Sequence, residues 1–209
     1  MKLFITLIIV LAILLVNEFY WRSTKRHSEI SRKFIHIVVG SFVAFWPFYL
    51  PWSDIQIISL AFIAVILFSR KVNLFQSIHS VGRTTWGELY FGISVGLVSV
   101  ISSNKWIYMA ALLQMSLADG FAAVVGSSVS KGKHYKVFGH NKSIAGTLTF
   151  FVISLLITIA YLVLNKGQSQ PIIIILVLPI LSTMLENVSV AGLDNLTIPL
   201  VYSILLNIL

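Results

Sequence analysis

Long apolar runs separated by short polar segments set the pattern of this chain. Runs long enough to cross about 30 Å of hydrocarbon at 1.5 Å per residue lie at 3–20, 34–50, 53–69, 88–103, 106–126 and 144–164. Two shorter runs follow at 171–185 and 196–209. The pattern predicts an all-α fold, a polytopic membrane helix bundle of seven or eight transmembrane helices. The last run is short enough for a re-entrant or interfacial piece.

Composition agrees with that pattern and excludes a soluble domain: 57% of the residues are hydrophobic and 11% charged, where soluble domains carry about 25% charge. The first run has one lysine ahead of it, no small-x-small cleavage site after it and a basic segment behind it, so it is expected to remain as a helix. With no cysteine in the chain, disulfides, thiolate metal sites and cysteine nucleophiles are excluded together.

The basic residues are distributed unevenly between the two faces. If the runs alternate, segments 21–33, 70–87, 127–143 and 186–195 share one face and hold twelve of the fifteen lysines and arginines; Lys2, Lys105 and Lys166 fall on the other. The positive-inside rule places the first group in the cytoplasm. Topology and attraction to anionic headgroups account for most of the formal charge of +8, but they do not account for the acids. Of seven acidic residues, Glu29, Glu88, Asp119, Glu186 and Asp194 lie in or beside those same basic segments. An acid inside a span costs roughly 2.5–3.5 kcal/mol on insertion scales, so it is retained where it faces protein, water or a ligand.

Asp119 is the clearest such residue. With Ala122, Ala123 and Gly126 it follows the i, i+3, i+4, i+7 stripe of one helical face. Two readings are open: close packing of two helices on small residues, or room for a phosphate and a metal ion beside the carboxylate. The next segment supplies Gly126, Gly132 and Gly139 for an adaptable backbone and Lys131, Lys133, Lys136 and Lys142 for charge. "NKSIAG" then opens a helix with Ser143 at its N-cap and Gly146 in its first turn, a ready anion site. An aspartate for Mg²⁺, with lysines and a helix N-terminus for phosphates, makes up the parts of a phosphoryl- or nucleotidyl-transfer site. The P-loop pattern is absent.

Three further stretches carry polar residues at the same face. "EISRKFIHIVVG" places Glu29, Arg32 or Lys33, His36 and Gly40 along one side of a helix entering the membrane; snorkelling at the interface explains the spacing equally well. "TTWGELYFGIS" puts Glu88 at a helix mouth, and "LENVSVAGLDNLTIPL" sets Glu186, Asp194 and Asn195 around a glycine break. "KVNLFQSIHSVG" reads as an interfacial helix. No internal repeat is evident, which weighs against a small transporter built from matching halves.

Taken in order, "EISRKFIHIVVG", "TTWGELYFGIS", "LADGFAAVVG…NKSIAG" and "LENVSVAGLDNLTIPL" resemble the membrane-embedded CTP-dependent lipid-alcohol kinases, the phytol kinase and dolichol kinase family, itself related to the phosphatidate cytidylyltransferases. The resemblance runs from about residue 29 to 200. It implies a single integral membrane domain over 1–209, with a first helix and basic linker at 1–28 and a kinase-like core at 29–209. It further implies CTP as phosphoryl donor, Mg²⁺ as cofactor, and a nucleoside triphosphate, a lipid alcohol and the bilayer as partners, with no nucleic acid.

By the same resemblance, Asp119 belongs to the metal–nucleotide site. Lys142 and the basic loop hold phosphates, and Arg32, Lys33 and His36 line the same cavity. Ser127 stands where the family often has an arginine after the glycine, with Lys131 and Lys133 as substitutes. The group that takes the hydroxyl proton is left open among His36, Asp119, Glu186 and Asp194. Nucleotidyl transfer to a lipid phosphate is the alternative enzymatic reading, and "GLDNLTIPL" favours the alcohol-kinase branch over it.

Overall fold

The computed structural model describes residues 1–24, 29–72, 86–129, 133–137, 140–166 and 168–209, without the side chains of residues 17, 18, 20–24, 29–32, 72 and 140. The interfacial helix expected over 71–82 falls almost wholly outside them, as do Lys131, Gly132 and Gly139. Among the described residues there are eight helices: α1 (Lys2–Thr24), α2 (Glu29–Ala44), α3 (Trp52–Val72), α4 (Gly87–Ile101), α5 (Lys105–Ser128), α6 (Ile144–Leu164), α7 (Pro171–Val188) and α8 (Asp194–Ile208). Each corresponds to one of the eight apolar runs, but α2 ends at Ala44, before the end of the run 34–50, where Pro47 sits in a short 3-10 turn over Trp46–Phe48.

By length and composition, α3, α5, α6 and α7 are able to cross a membrane, while the apolar parts of α1, α2, α4 and α8 are shorter. The chain is an all-α membrane bundle. Its last run is a regular helix of 15 residues, about 22 Å long at 1.5 Å per residue. Ile198, Tyr202 and Leu206 are buried along it, so it packs inside the bundle rather than lying on its surface.

The long helices are not equivalent. Two thirds of the α5 span (67%) is buried inside the protein, against 28% for α3, 28% for α6 and 33% for α7. α5 is therefore the central helix, and α6 and α7 present Leu148, Val152, Leu156, Leu176 and Ile180 outward, as surfaces facing hydrocarbon must. Without a hydrophobic drive between helices in lipid, close contact and buried hydroxyls hold such a bundle. Ser116 and Thr158 donate back to the carbonyls of Leu112 and Ser154, and the Thr158 and Tyr202 hydroxyls meet at 2.9 Å.

Midway along α5 the helix widens into a π turn over Gln114–Ala118, where the Asp119 N–H reaches back to the Gln114 and Ser116 carbonyls. Such turns insert a residue into an α-helix, often at functional sites. Here the turn immediately precedes Asp119. α2 crosses α5 at this level with almost no space between them: a Cβ on Gly40 would fall 2.5 Å from Ser116 Cβ, and one on Gly120 would fall 2.2 Å from Ile37 Cγ1. The close crossing brings the side chains of α2 onto Asp119.

The basic segment before α6 departs from the all-helical expectation. It forms a small antiparallel hairpin, β1 (His134–Val137) and β2 (His140–Ser143), pairing Tyr135 with Lys142 and Lys136 with Asn141. Ser143 closes it and caps α6, its Oγ accepting from the Gly146 N–H at 3.0 Å. The α7–α8 connection turns through Ala191 and Gly192, both at positive φ.

Candidate active site

The ion pairs of Lys33, Arg70 and Lys142 gather at one end of the bundle, formed by the start of α2, the end of α3, the start of α4, the part of α5 around Asp119, the hairpin, and the α7–α8 turn. Lys33 Nζ donates to Asp119 Oδ2, joining α2 to α5 across 86 positions of sequence. Both are buried, Asp119 to 4% exposure, so neither charge belongs to a snorkelling surface pair. His36, one turn further along α2, has Nε2 3.0 Å from the Met115 carbonyl in the π turn and 3.7 Å from Asp119 Oδ2. A carbonyl only accepts, so this nitrogen carries a proton.

A second pair stands beside the first. Lys142, from β2, donates to Glu186 Oε1 and to the Glu186 carbonyl at 2.9 Å, tying the hairpin to the end of α7. Asp194 lies within electrostatic reach of Asp119, Lys33 and Lys142, and Glu186 within reach of Asp119 and Asp194. Three carboxylates and two ammonium groups thus form one cluster, in which Lys33, Asp119 and Glu186 are buried and Lys142 and Asp194 half-buried. Arg70 pairs with Glu88 at 3.0 Å and stacks on the Trp86 ring at 4.3 Å, fixing the mouth of α4. Asn195 Nδ2 donates to the Gly87 carbonyl at 3.0 Å, joining α8 to α4.

The structure therefore brings together Lys33, His36, Asp119, Lys142, Glu186 and Asp194, with Glu88 and Asn195 at the adjoining helix ends. Gly126 and Gly146 face one another where α5 meets α6: a Cβ on Gly146 would lie 2.9 Å from the Ala122 carbonyl and 3.4 Å from Gly126 Cα. These two glycines serve the close packing of helices, the first of the two readings of the small-residue stripe. Lys133 is exposed at the foot of the hairpin, and its carbonyl accepts from the Ile144 N–H. Lys131 and the side chains of Glu29 and Arg32 lie outside the described residues.

Four residues with polar roles, Tyr135, Thr147, Asn187 and Arg70, were not legible in the sequence. The Tyr135 hydroxyl donates to Asn187 Oδ1 at 2.6 Å and meets the Thr147 hydroxyl, which itself contacts Asn187 at 3.2 Å. This knot pins the hairpin onto α6 and α7 and so positions Lys142. An amide beside an acid at the end of an apolar run, Glu186–Asn187, was the available signal. Arg70 counted toward topology alone, since its partner is 18 residues away.

Beside the cluster runs a partly open groove of about 650 Å³, counting its mouth. Its walls come from α1, α2, α3 and α4, its polar end from His36, Glu88 and Asn195. His36 thus belongs both to the groove and to the surroundings of Asp119.

An apolar helical bundle with buried ion pairs gathered at one end defines the chain as a membrane protein with an internal charged site. Comparison with known proteins makes the class specific. The chain is 36% identical over 197 residues to the phytol kinase of Synechocystis sp., a match covering 90% of this chain and 83% of that protein. No protein-family model and no solved structure matches it. The chain belongs to the phytol kinase-like family of membrane lipid-alcohol kinases.

Proposed function

We propose that this kinase transfers the γ-phosphoryl group of CTP to the hydroxyl of a long-chain isoprenoid alcohol, at the cytoplasmic face of its membrane. The observation that carries this reading is the position of His36. It lines an apolar groove suited to a hydrocarbon tail and stands 3.7 Å from Asp119 in a cluster of acids and lysines suited to a triphosphate. The twelve-to-three division of basic residues supports the cytoplasmic placement.

In the transfer, the alcohol oxygen bonds to the γ-phosphorus as the bond from that phosphorus to the bridging oxygen breaks. The nucleoside diphosphate departs, and the hydroxyl proton passes to a neighbouring base. Positioning and charge neutralisation do most of the work in such reactions. Lys33 and Lys142, each held here by a carboxylate, are the cations that phosphate oxygens recruit.

Mg²⁺ is commonly bound through one or two carboxylates together with substrate phosphates. Among the described residues no three of His, Asp and Glu are placed to hold an ion. Asp119 would hold it, with Asp194 as the second carboxylate. It would supply charge neutralisation on the phosphates.

Product analysis tests the reading directly. Purified protein given CTP, Mg²⁺ and a panel of lipid alcohols is expected to release CDP and form a lipid monophosphate. Pyrophosphate release that depends on a lipid phosphate acceptor would replace this reading with nucleotidyl transfer. Base specificity follows from the same assay run with ATP, GTP and UTP.

Lys142→Ala is expected to weaken CTP binding roughly 10- to 150-fold, the equivalent of a charge-assisted hydrogen bond of about 1.5–3 kcal/mol. Because the change also strips Glu186 of its ammonium partner, Lys142→Ala/Glu186→Gln is the matching control. Calorimetry showing unchanged affinity in both would move the phosphate site away from the hairpin.

A further inference from the structure

The groove has one polar end and one apolar end, and the two are about a helical turn apart. From Glu88 to Phe91 on α4 and from His36 to Val39 on α2, the wall passes from the polar cluster into the hydrophobic interior, while α3 contributes the apolar Phe62 and Ile66. The fourth wall is α1, which contributes Val10 and Leu14. A headed linear hydrocarbon matches this gradient.

The polar end also holds an unused acceptor. Asn195 is 4% exposed. Its Nδ2 is committed to the Gly87 carbonyl, which fixes the orientation of the amide and leaves Oδ1 as the acceptor end. Among the described residues that Oδ1 has no hydrogen-bond partner. A buried acceptor left without a donor costs roughly 1–3 kcal/mol, and an alcohol O–H reaching it removes that cost.

Resting on the lipid-alcohol kinase reading, we propose that this groove is the acceptor site. The head and first isoprenoid units of the alcohol lie between α1, α2, α3 and α4, and the hydroxyl donates to Asn195 Oδ1 beside His36. The remainder of the tail extends past α1 into the bilayer. α1 is then a wall of the substrate site as well as a membrane anchor, and its side chains set which alcohol heads are admitted.

The first test needs no turnover. A long-chain isoprenoid alcohol with a diazirine in its first units, irradiated with the full chain in lipid nanodiscs, is expected to label peptides containing Leu14, Phe62 or Ile66. Excess unlabelled alcohol should remove that label. Labelling confined to the outward faces of α6 and α7 would overturn the proposal, and so would groove labelling that only phospholipid displaces.

Kinetics give the second test. Leu14→Trp and Ile66→Trp narrow the groove away from the ion pairs. They are expected to raise KM for the long-chain alcohol roughly tenfold or more, with KM for CTP within about twofold. Equal changes in both constants would overturn the proposal. Competable groove labelling without phosphorylation of any alcohol would uphold the binding site while rejecting the kinase chemistry, so the two readings fail separately.

Discussion

Asp119→Asn is expected to lower turnover by at least about 100-fold, or roughly 2.7 kcal/mol of transition-state stabilisation, while the protein remains folded and inserted. The amide is nearly isosteric with the carboxylate but lacks the negative charge that faces Lys33 and, in the proposed reaction, the metal ion. Breaking a buried ion pair costs roughly 3–5 kcal/mol when the remaining charge has no compensation. Here Asp194 stays within electrostatic reach of Lys33, so the stability loss should fall below that range. The measurements are thermal unfolding in detergent and initial rates with CTP, Mg²⁺ and a long-chain isoprenoid alcohol. A folded variant that kept more than about a tenth of the wild-type rate at saturating Mg²⁺ would remove Asp119 from the chemistry. A variant that unfolded would instead be compared with Asp119→Asn/Lys33→Met, in which no buried charge is stranded.

The second large effect is expected at a position with no charge. Gly192→Ala should destabilise the protein by about 2–4 kcal/mol, because two costs combine: a side chain held at positive φ, and overpacking. Gly192 has φ +86, and a Cβ there would sit 2.7 Å from Gly87 Cα and 2.8 Å from Gly87 N. Both are backbone atoms, so no rotamer change relieves the contact. The neighbouring Ala191 carbonyl accepts from the Trp86 N–H at 3.2 Å, and Asn195 holds the Gly87 carbonyl. Pushing this turn away from α4 therefore disturbs Glu88 and Asn195 together. The variant should unfold at lower temperature in detergent, and its KM for the alcohol should rise more than its KM for CTP. Ser189→Ala, on the same turn and with only a 3.5 Å contact to Thr197, should behave like the wild type. Equal stability of Gly192→Ala and wild type would mean that the turn does not govern the mouth of α4.

The eight helices were legible in the sequence because hydropathy is a property of consecutive residues. A stretch such as 144–164 is long and apolar enough to span hydrocarbon whatever surrounds it, and the helix occupies those residues. Asp119 was conspicuous for the same reason: a carboxylate within an apolar run carries a cost that something must offset. Ser143 announced its cap by local chemistry, since the bond to the Gly146 N–H spans three residues.

Partnership was a different matter. Which lysine meets which acid depends on contacts across 86 residues for Lys33 and Asp119, and across 44 for Lys142 and Glu186. The composition of each segment is compatible with several such pairings. The π turn was equally hidden, for "QMSLA" has nothing in its composition to distinguish it from the α-helix on either side. The stripe of small residues below Asp119 admitted both close packing and a phosphate cradle, and only the approach of Gly146 to Gly126 shows that helix packing occupies it.

By itself, then, the sequence determined a membrane bundle of apolar helices with acids and bases concentrated toward one face, since each of those features is written along the chain. Tertiary structure decided that α5 is the central helix and that α2 crosses it closely enough to set Lys33 and His36 on Asp119. It also decided that four helices enclose an apolar groove ending at His36, Glu88 and Asn195. Those outcomes depend on how helices cross, and crossing is fixed by side-chain packing between segments far apart in sequence.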